Sequence, residues 1–264
     1  MTRIRALLNK ELLEVSRNRA ALFPVVFVSL LSLLLPFFVA ILIPRLTGDP
    51  LSDDADLSRL GQAAVPSSGL TPDGVVQLLL FERFLTLFLL TPITGAMAFA
   101  AHSIVGEKQA RTLEPLLATP ITTAELLVAK VLGALVPTLL ISLVSLAAFV
   151  VMIGGLAEPG VLAAISNIRT WLLVAIVGPL LALVSLQLAL IISSWANDAR
   201  TAQQFGVLII VPLTAILIAQ FTGRFSLSGS TLTLVAIALV WVWLLLLLTS
   251  VAVFDRETIL TRWK

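Results

Sequence analysis

The sequence predicts an all-α membrane protein with six transmembrane helices, an amphipathic helix before them, and a short helix outside the bilayer between spans two and three. Composition is the first indication, because 59% of the 264 residues are hydrophobic and 12% are charged, with a mean hydropathy of +1.07. A soluble domain has about a quarter of its residues charged. The lengths of the apolar segments and the uneven placement of Lys and Arg between them are the other two indications.

Residues 1–20 predict an amphipathic helix that lies in the membrane interface. Apolar residues recur there at helical spacing, with basic residues on the flanks, and such a helix turns its apolar face toward lipid and its cations toward anionic headgroups. The apolar positions are Ile4, Leu7, Leu8, Leu12 and Val15. Two interpretations stay open: a lead-in to the first span, or a connecting helix that also contacts a cytoplasmic partner.

Residues 21–264 form the predicted six-span domain. A helix needs about 20 mainly apolar residues to cross a hydrocarbon core of about 30 Å. Because these runs are long and do not alternate, they predict helices rather than barrel strands. The first run exceeds the roughly 7–15 apolar residues of a cleavable signal, so we expect it to be retained. The spans are predicted at about 21–43, 84–104, 124–153, 171–194, 202–221 and 231–254.

The distribution of basic residues predicts the orientation. If the N-terminus is inside, twelve of the seventeen Lys and Arg residues fall on the inner side and five on the outer side. Cytoplasmic loops are the ones enriched in Lys and Arg. We therefore expect a multi-pass protein of the plasma membrane with both termini, and the 106–123 connection between spans two and three, in the cytoplasm.

The 106–123 connection concentrates charge in an otherwise apolar chain. Thr112 can cap a short helix over 113–118, in which Pro115 is tolerated because it falls in the first turn. Thr122 and Glu125 fit a capping box at the start of the third span. The short helix would expose leucines on one side, which indicates a surface for another protein; a solvated loop is the alternative. The charged residues are Glu107, Lys108, Arg111, Glu114 and Glu125, and the leucines are Leu113, Leu116 and Leu117.

Ionisable residues are scarce inside the spans. Glu82 and Arg83 lie near the outer end of the second span, where Thr71 and Pro72 start the helix early; they are interfacial anchors or part of an outer gate. The chain has no Cys, which excludes a disulfide framework, thiolate metal sites and thiol catalysis. No cluster of five or six basic residues indicates nucleic-acid binding.

The sequence offers little for catalysis or for ion coupling. An intramembrane enzyme needs a cluster of catalytic side chains, which a single His near a span end does not supply. A secondary transporter would show charged residues at mid-membrane and internal repeats. We therefore expect a protein that is not an enzyme and binds neither a cofactor nor a metal.

The run from Gly106 to Lys130, GEKQARTLEPLLATPITTAELLVAK, resembles the signature of permeases of type-2 ABC exporters. The similarity includes Lys10-Glu11-Leu12 in the N-terminal helix, the polar connection at 193–198, and the tail at 254–257. The resemblance implies that the connection holds a coupling helix, which binds a separate ATPase subunit. The residues it assigns to that contact are Glu107, Arg111, Thr112, Leu113, Glu114, Leu117 and Pro120.

Other expectations also follow from this resemblance. ATP and Mg²⁺ would bind the ATPase, because this chain has no Gly-x-x-x-x-Gly-Lys-Ser/Thr loop. The assembly would contain two ATPase copies and a second permease, either identical or a sister subunit, in a bacterial or archaeal membrane. Spans one, two and five would line the exit route, which places Thr91, Thr94, Thr214 and Gln220 there. The cargo would be hydrophobic or amphipathic; sodium or another ion is the alternative.

Overall fold

The computed structural model describes residues 2–64, 69–109, 123–195, 204–205, 207–223 and 227–253. Every regular element within these ranges is helical, as the sequence predicts. The α-helices are α1 Thr2–Arg17, α2 Arg19–Phe37, α3 Ile43–Thr47, α4 Ala55–Ala64, α5 Pro72–Phe84, α6 Leu90–Gln109, α7 Thr123–Leu156, α8 Val161–Ile165, α9 Ile168–Trp171, α10 Gly178–Trp195, α11 Val207–Phe221 and α12 Gly229–Val253.

Five stretches of helix are long and apolar enough to cross a membrane. They are Arg19–Thr47, Pro72–Glu107, Glu125–Leu156, Ile168–Ser193 and Gly229–Ser250, which we call the first, second, third, fourth and sixth spans. The fifth span is the shorter apolar helix α11, whose described part has 15 residues. These helices overlap the segments predicted from the sequence, and their lengths and apolar composition are those of a multi-pass membrane protein.

Three spans change helical type just before or around a proline. The first span contains a π-helical stretch at Phe38–Leu42 before Pro44, the second a 3₁₀ stretch at Leu85–Leu89 before Pro92, and the fourth a π-helical stretch at Leu172–Val177 before Pro179. A proline cannot donate to the carbonyl four residues back, and its ring crowds that carbonyl. The local helix therefore loosens or tightens at that point.

The helix of the second span begins with α5 at Pro72, well before the predicted start of this span at 84. Thr71 caps it, since its Oγ1 accepts a hydrogen bond from the Gly74 amide at 3.0 Å, and Pro72 occupies the first helical turn. This confirms the early start that Thr71 and Pro72 predict, because a hydroxyl cap followed by proline is a strong helix-initiating pair.

The second span lies at the centre of the bundle. In the most apolar part of this span 83% of the residues are buried within the chain, whereas in the sixth span the corresponding share is 6%. One end of the bundle contains α1, the end of α6 and the start of α7, and we call it the N-terminal face. The other end contains α4 and the start of α5, and we call it the opposite face. Near the opposite face the core is aromatic, with Phe37, Phe81 and Phe88 all against Phe149.

Candidate functional site

The connection that the sequence singles out is bracketed by two described helices. The second span ends with α6 at Gln109, and the third begins with α7 at Thr123. Most of the residues assigned to partner contact lie outside the described residues, as do the predicted short helix and Thr122. Those residues are Arg111, Thr112, Leu113, Glu114, Leu117 and Pro120. Glu107 is described, and it leads to the site.

A buried cluster of charges lies at the base of this connection. Its centre is Lys130, which is 1% exposed although it belongs to the mainly apolar helix α7. The Lys130 Nζ lies 2.7 Å from Oε2 of Glu107 and 3.3 Å from Oε1 of Glu11. It also donates to the Ser103 carbonyl at 3.2 Å and to the Ser103 Oγ at 3.0 Å. The ammonium of α7 thus holds groups from two other helices, α1 and α6.

The two carboxylates of the cluster have further donors. The Ser103 hydroxyl donates to Oε2 of Glu11 at 2.6 Å, and Lys10 donates to Oε1 of Glu107 at 2.5 Å. Glu11 is 3% exposed and Glu107 is 4% exposed. We call Lys10, Glu11, Ser103, Glu107 and Lys130 the charge cluster.

The charges of the cluster balance. Two lysines face two glutamates, which offsets the cost of removing each charge from water. Lys10 is the most exposed member, and it also reaches Glu14 at 3.4 Å on the surface of α1. Burial lowers the pKa of Lys10, but its hydrogen bond to Glu107 and the nearby carboxylates outweigh burial and raise the pKa above its ordinary value. Lys10 is therefore firmly cationic at neutral pH.

Helix periodicity and one glycine bring α1 into the cluster. Leu7, Glu11 and Val15 are spaced four residues apart, so they share a face, and all three are buried. That face lies on α7 at Gly133. A Cβ built on Gly133 would lie 2.5 Å from the Cβ of Glu11, so a larger residue cannot fit without moving α1.

A helix forms at Thr2–Arg17, where the amphipathic helix was predicted. At Leu7 and Val15 its apolar face is buried by protein, whereas the sequence predicts that this face turns toward lipid. The sequence reasoning missed the roles of Glu11, Ser103 and Lys130. A signal was present for two of them: Glu11 interrupts the apolar face of α1, and Lys130 interrupts an apolar run. An isolated charge on an apolar face requires a buried partner.

The four residues assigned to the exit route are distributed over different environments. Thr91 is fully buried, and Gln220 is buried with its Nε2 donating to Thr86 Oγ1 at 3.0 Å. Thr94 and Thr214 each donate to the carbonyl four residues earlier in their own helix. Their assignment to an exit route stays a prediction.

The residues assigned to an outer gate lie at the opposite face. The Glu82 carboxylate accepts a hydrogen bond from the Asn167 side chain at 3.2 Å, which joins the second span to the start of α9. Arg83 lines a cavity together with Glu82. Within the described part of the chain, no group of three or more His, Cys, Asp or Glu residues could hold a metal ion.

Comparison with known proteins gives a family assignment. The family model described as "ABC-2 family transporter protein" matches residues 5–226, which is most of the chain and includes the whole charge cluster. A search of curated proteins found no match to the chain.

Proposed function

This chain belongs to the ABC-2 transporter family, and we propose that it is the permease subunit of an ABC exporter whose ATP is hydrolysed by a separate chain. The family is one of transport membrane subunits, which agrees with the six apolar helices of the bundle. The sequence contains no phosphate-binding loop of the kind that an ATPase needs, which supports the assignment of hydrolysis to a partner.

We assign the N-terminal face to the cytoplasm. The excess of Lys and Arg on that side supports this orientation, because positive loops are retained inside. It would place α1 and the 106–123 connection where a soluble ATPase can reach them.

The observation that carries the proposal is the charge cluster at the base of the connection. Glu107 lies in the last turn of α6, and Lys130 lies two turns into α7. Their ion pair at 2.7 Å, with Glu11 joined to the same ammonium, ties both flanking helices to α1. A push on the connection would therefore move these three helices together instead of bending a loop.

The cluster also suggests how the predicted contact residues divide their work. Leu113 and Leu117 would be the apolar anchors in a groove of the ATPase, with Arg111 and Glu114 setting register at the rim. The carboxylate of Glu107 is turned into this chain. We therefore propose that Glu107 positions the connection and does not contact the ATPase through its carboxylate.

The proposed cargo is a hydrophobic or amphipathic molecule. Exposed apolar side chains dominate the first, third and sixth spans. A second permease would complete the membrane unit, and two ATPases would drive it, as the resemblance to type-2 ABC exporters implies.

Co-purification tests the coupling proposal. The protein purified from its own membranes should bring down an ABC ATPase, recognised by its phosphate-binding loop, in equal copy number. Substituting Leu113→Asp together with Leu117→Asp should remove it, because two charges would have to be buried in an apolar groove. Leu46→Asp is the control, since Leu46 is 74% exposed at the end of α3 on the opposite face. Retention of the ATPase by the double variant would contradict the proposal.

A further inference from the structure

A cavity of about 350 Å³ lies at the opposite face, among the ends of four spans. The second span contributes Glu82 and Arg83, the fourth Arg169 and Leu173, the fifth Gln220, and the sixth Leu232. Its volume is at the lower end of the range for ligand pockets, which suits a headgroup better than a large rigid molecule.

Helix α4 covers part of this cavity. Leu60 of α4 lines it, and Gly223, at the turn after the fifth span, lies directly beneath Leu60. Gly223 has a φ of +70°, and a Cβ built there would lie 2.8 Å from Cδ2 of Leu60. The turn thus needs glycine both for its backbone conformation and for the close approach of α4.

The described polar lining favours an anion. Two guanidinium groups, Arg83 and Arg169, face a single carboxylate, Glu82, and that carboxylate already accepts a hydrogen bond from Asn167. Arginine presents a planar fork of donors that matches phosphate or carboxylate oxygens. Leu85, Leu173 and Leu232 form apolar walls beside these groups and are almost completely buried.

Two apolar cavities lie beyond this one along the bundle, in the order set by the lining residues that they share. Leu85 and Thr170 also line a small cavity of about 40 Å³, between the third and fourth spans. That cavity shares Leu146, Trp171 and Val174 with a third one of about 270 Å³, which extends to Pro92 and Pro179. The first cavity has a charged lining and the next two have apolar linings. A molecule with an acidic head and an alkyl chain requires linings in this order.

We propose that the cavity lined by Arg83 and Arg169 binds the phosphate-bearing headgroup of a lipid-like amphiphile with a net negative charge, whose alkyl chain lies along the two apolar cavities. The position supports this, because the cavity is formed at span ends, where lipid headgroups lie. The proposal concerns binding and does not depend on an ATPase partner.

Native mass spectrometry of the purified full-length protein in detergent tests the site with short-chain phosphatidylglycerol and with phosphatidylcholine of identical chains. The wild-type protein should bind phosphatidylglycerol at least about tenfold more tightly. Arg83→Gln and Arg169→Gln should each weaken that binding about tenfold, as expected for one lost charge-assisted hydrogen bond. Arg45→Gln is the matched control, because Arg45 is an exposed arginine of α3 outside the cavity lining.

Three outcomes would overturn the proposal. The first is equal binding of the two lipids to the wild-type protein, a comparison that needs no variant to fold. The second is a loss of binding in Arg45→Gln as large as that in the cavity variants. The third is competition by glycerol phosphate, which has the anion without the chain, as strong as that by phosphatidylglycerol; this would make the cavity a site for a free anion.

Discussion

Replacing Lys130 by methionine separates the charge of the cluster from its packing. Methionine has a similar length and fills the space of the lysine stem, so the loss of the ammonium is the main change. In the variant, Lys10 still pairs with Glu107, but Glu11 loses its ion pair at 3.3 Å and retains only the Ser103 hydroxyl and the more distant Lys10 at 3.9 Å. A carboxylate that is 3% exposed is then largely uncompensated.

The expected loss is about 3–5 kcal/mol of unfolding free energy, the range for breaking a buried ion pair by removing one partner. Denaturation of the purified protein in mixed micelles, followed by far-ultraviolet circular dichroism at pH 7, measures it.

Restoring the charge balance provides the decisive comparison. Lys130→Met combined with Glu11→Gln leaves Lys10 and Glu107 as a neutral pair, and the double variant should recover about 1–3 kcal/mol relative to Lys130→Met alone. Glu14→Gln is the control on the same helix, since Glu14 is 51% exposed and should change stability by less than about 1 kcal/mol. A loss below about 1 kcal/mol for Lys130→Met, or strict additivity in the double variant, would refute the reasoning.

Two further predictions concern the attachment of α1. Gly133→Ala should lower the unfolding free energy by about 1–3 kcal/mol, because the new methyl meets the Cβ of Glu11 and α1 must shift. Gly155→Ala, in the same helix but with open space around it, should leave stability unchanged or slightly raised; equal effects of the two would contradict the close approach. Lys10 should add stability that is constant below the ordinary lysine pKa and disappears as the pH rises through its raised value. A comparison of wild type with Lys10→Met between pH 9 and pH 12 measures this difference, which should shrink toward the alkaline end; a constant difference would contradict it.

Local signals in the sequence predict much of the fold. Long apolar runs predict the spans, and Thr71 with Pro72 predicts the start of α5. Both signals are local, because the length of an apolar run and the capping of a helix depend on neighbouring residues only. The described part of the fifth span, Val207–Phe221, lies within the predicted segment 202–221. The change of helical type before Pro92 and Pro179 also depends on how neighbouring helices accommodate each proline.

The charge cluster could be predicted only in part. Glu11 and Lys130 are 119 residues apart, and nothing local indicates that they pair. Each is recognisable alone as a charge on an apolar face, but the partner becomes visible only when three helices meet. For Glu107, the same charge that indicated an exposed contact in the sequence is buried against Lys10 and Lys130 in the structure.

The placement of the connection tests the central claim most directly. The chain contains no cysteine, so Leu113→Cys introduces a unique thiol into it, and Leu46→Cys provides the control on the opposite face. With a membrane-impermeant maleimide, the thiol at 113 should be unreactive in intact cells, reactive in inverted membranes freed of peripheral proteins, and protected again when the ATPase is bound. The thiol at 46 should react in intact cells. Labelling at 113 from outside intact cells, to the same extent as at 46, would contradict the proposal that this connection receives force from an ATPase.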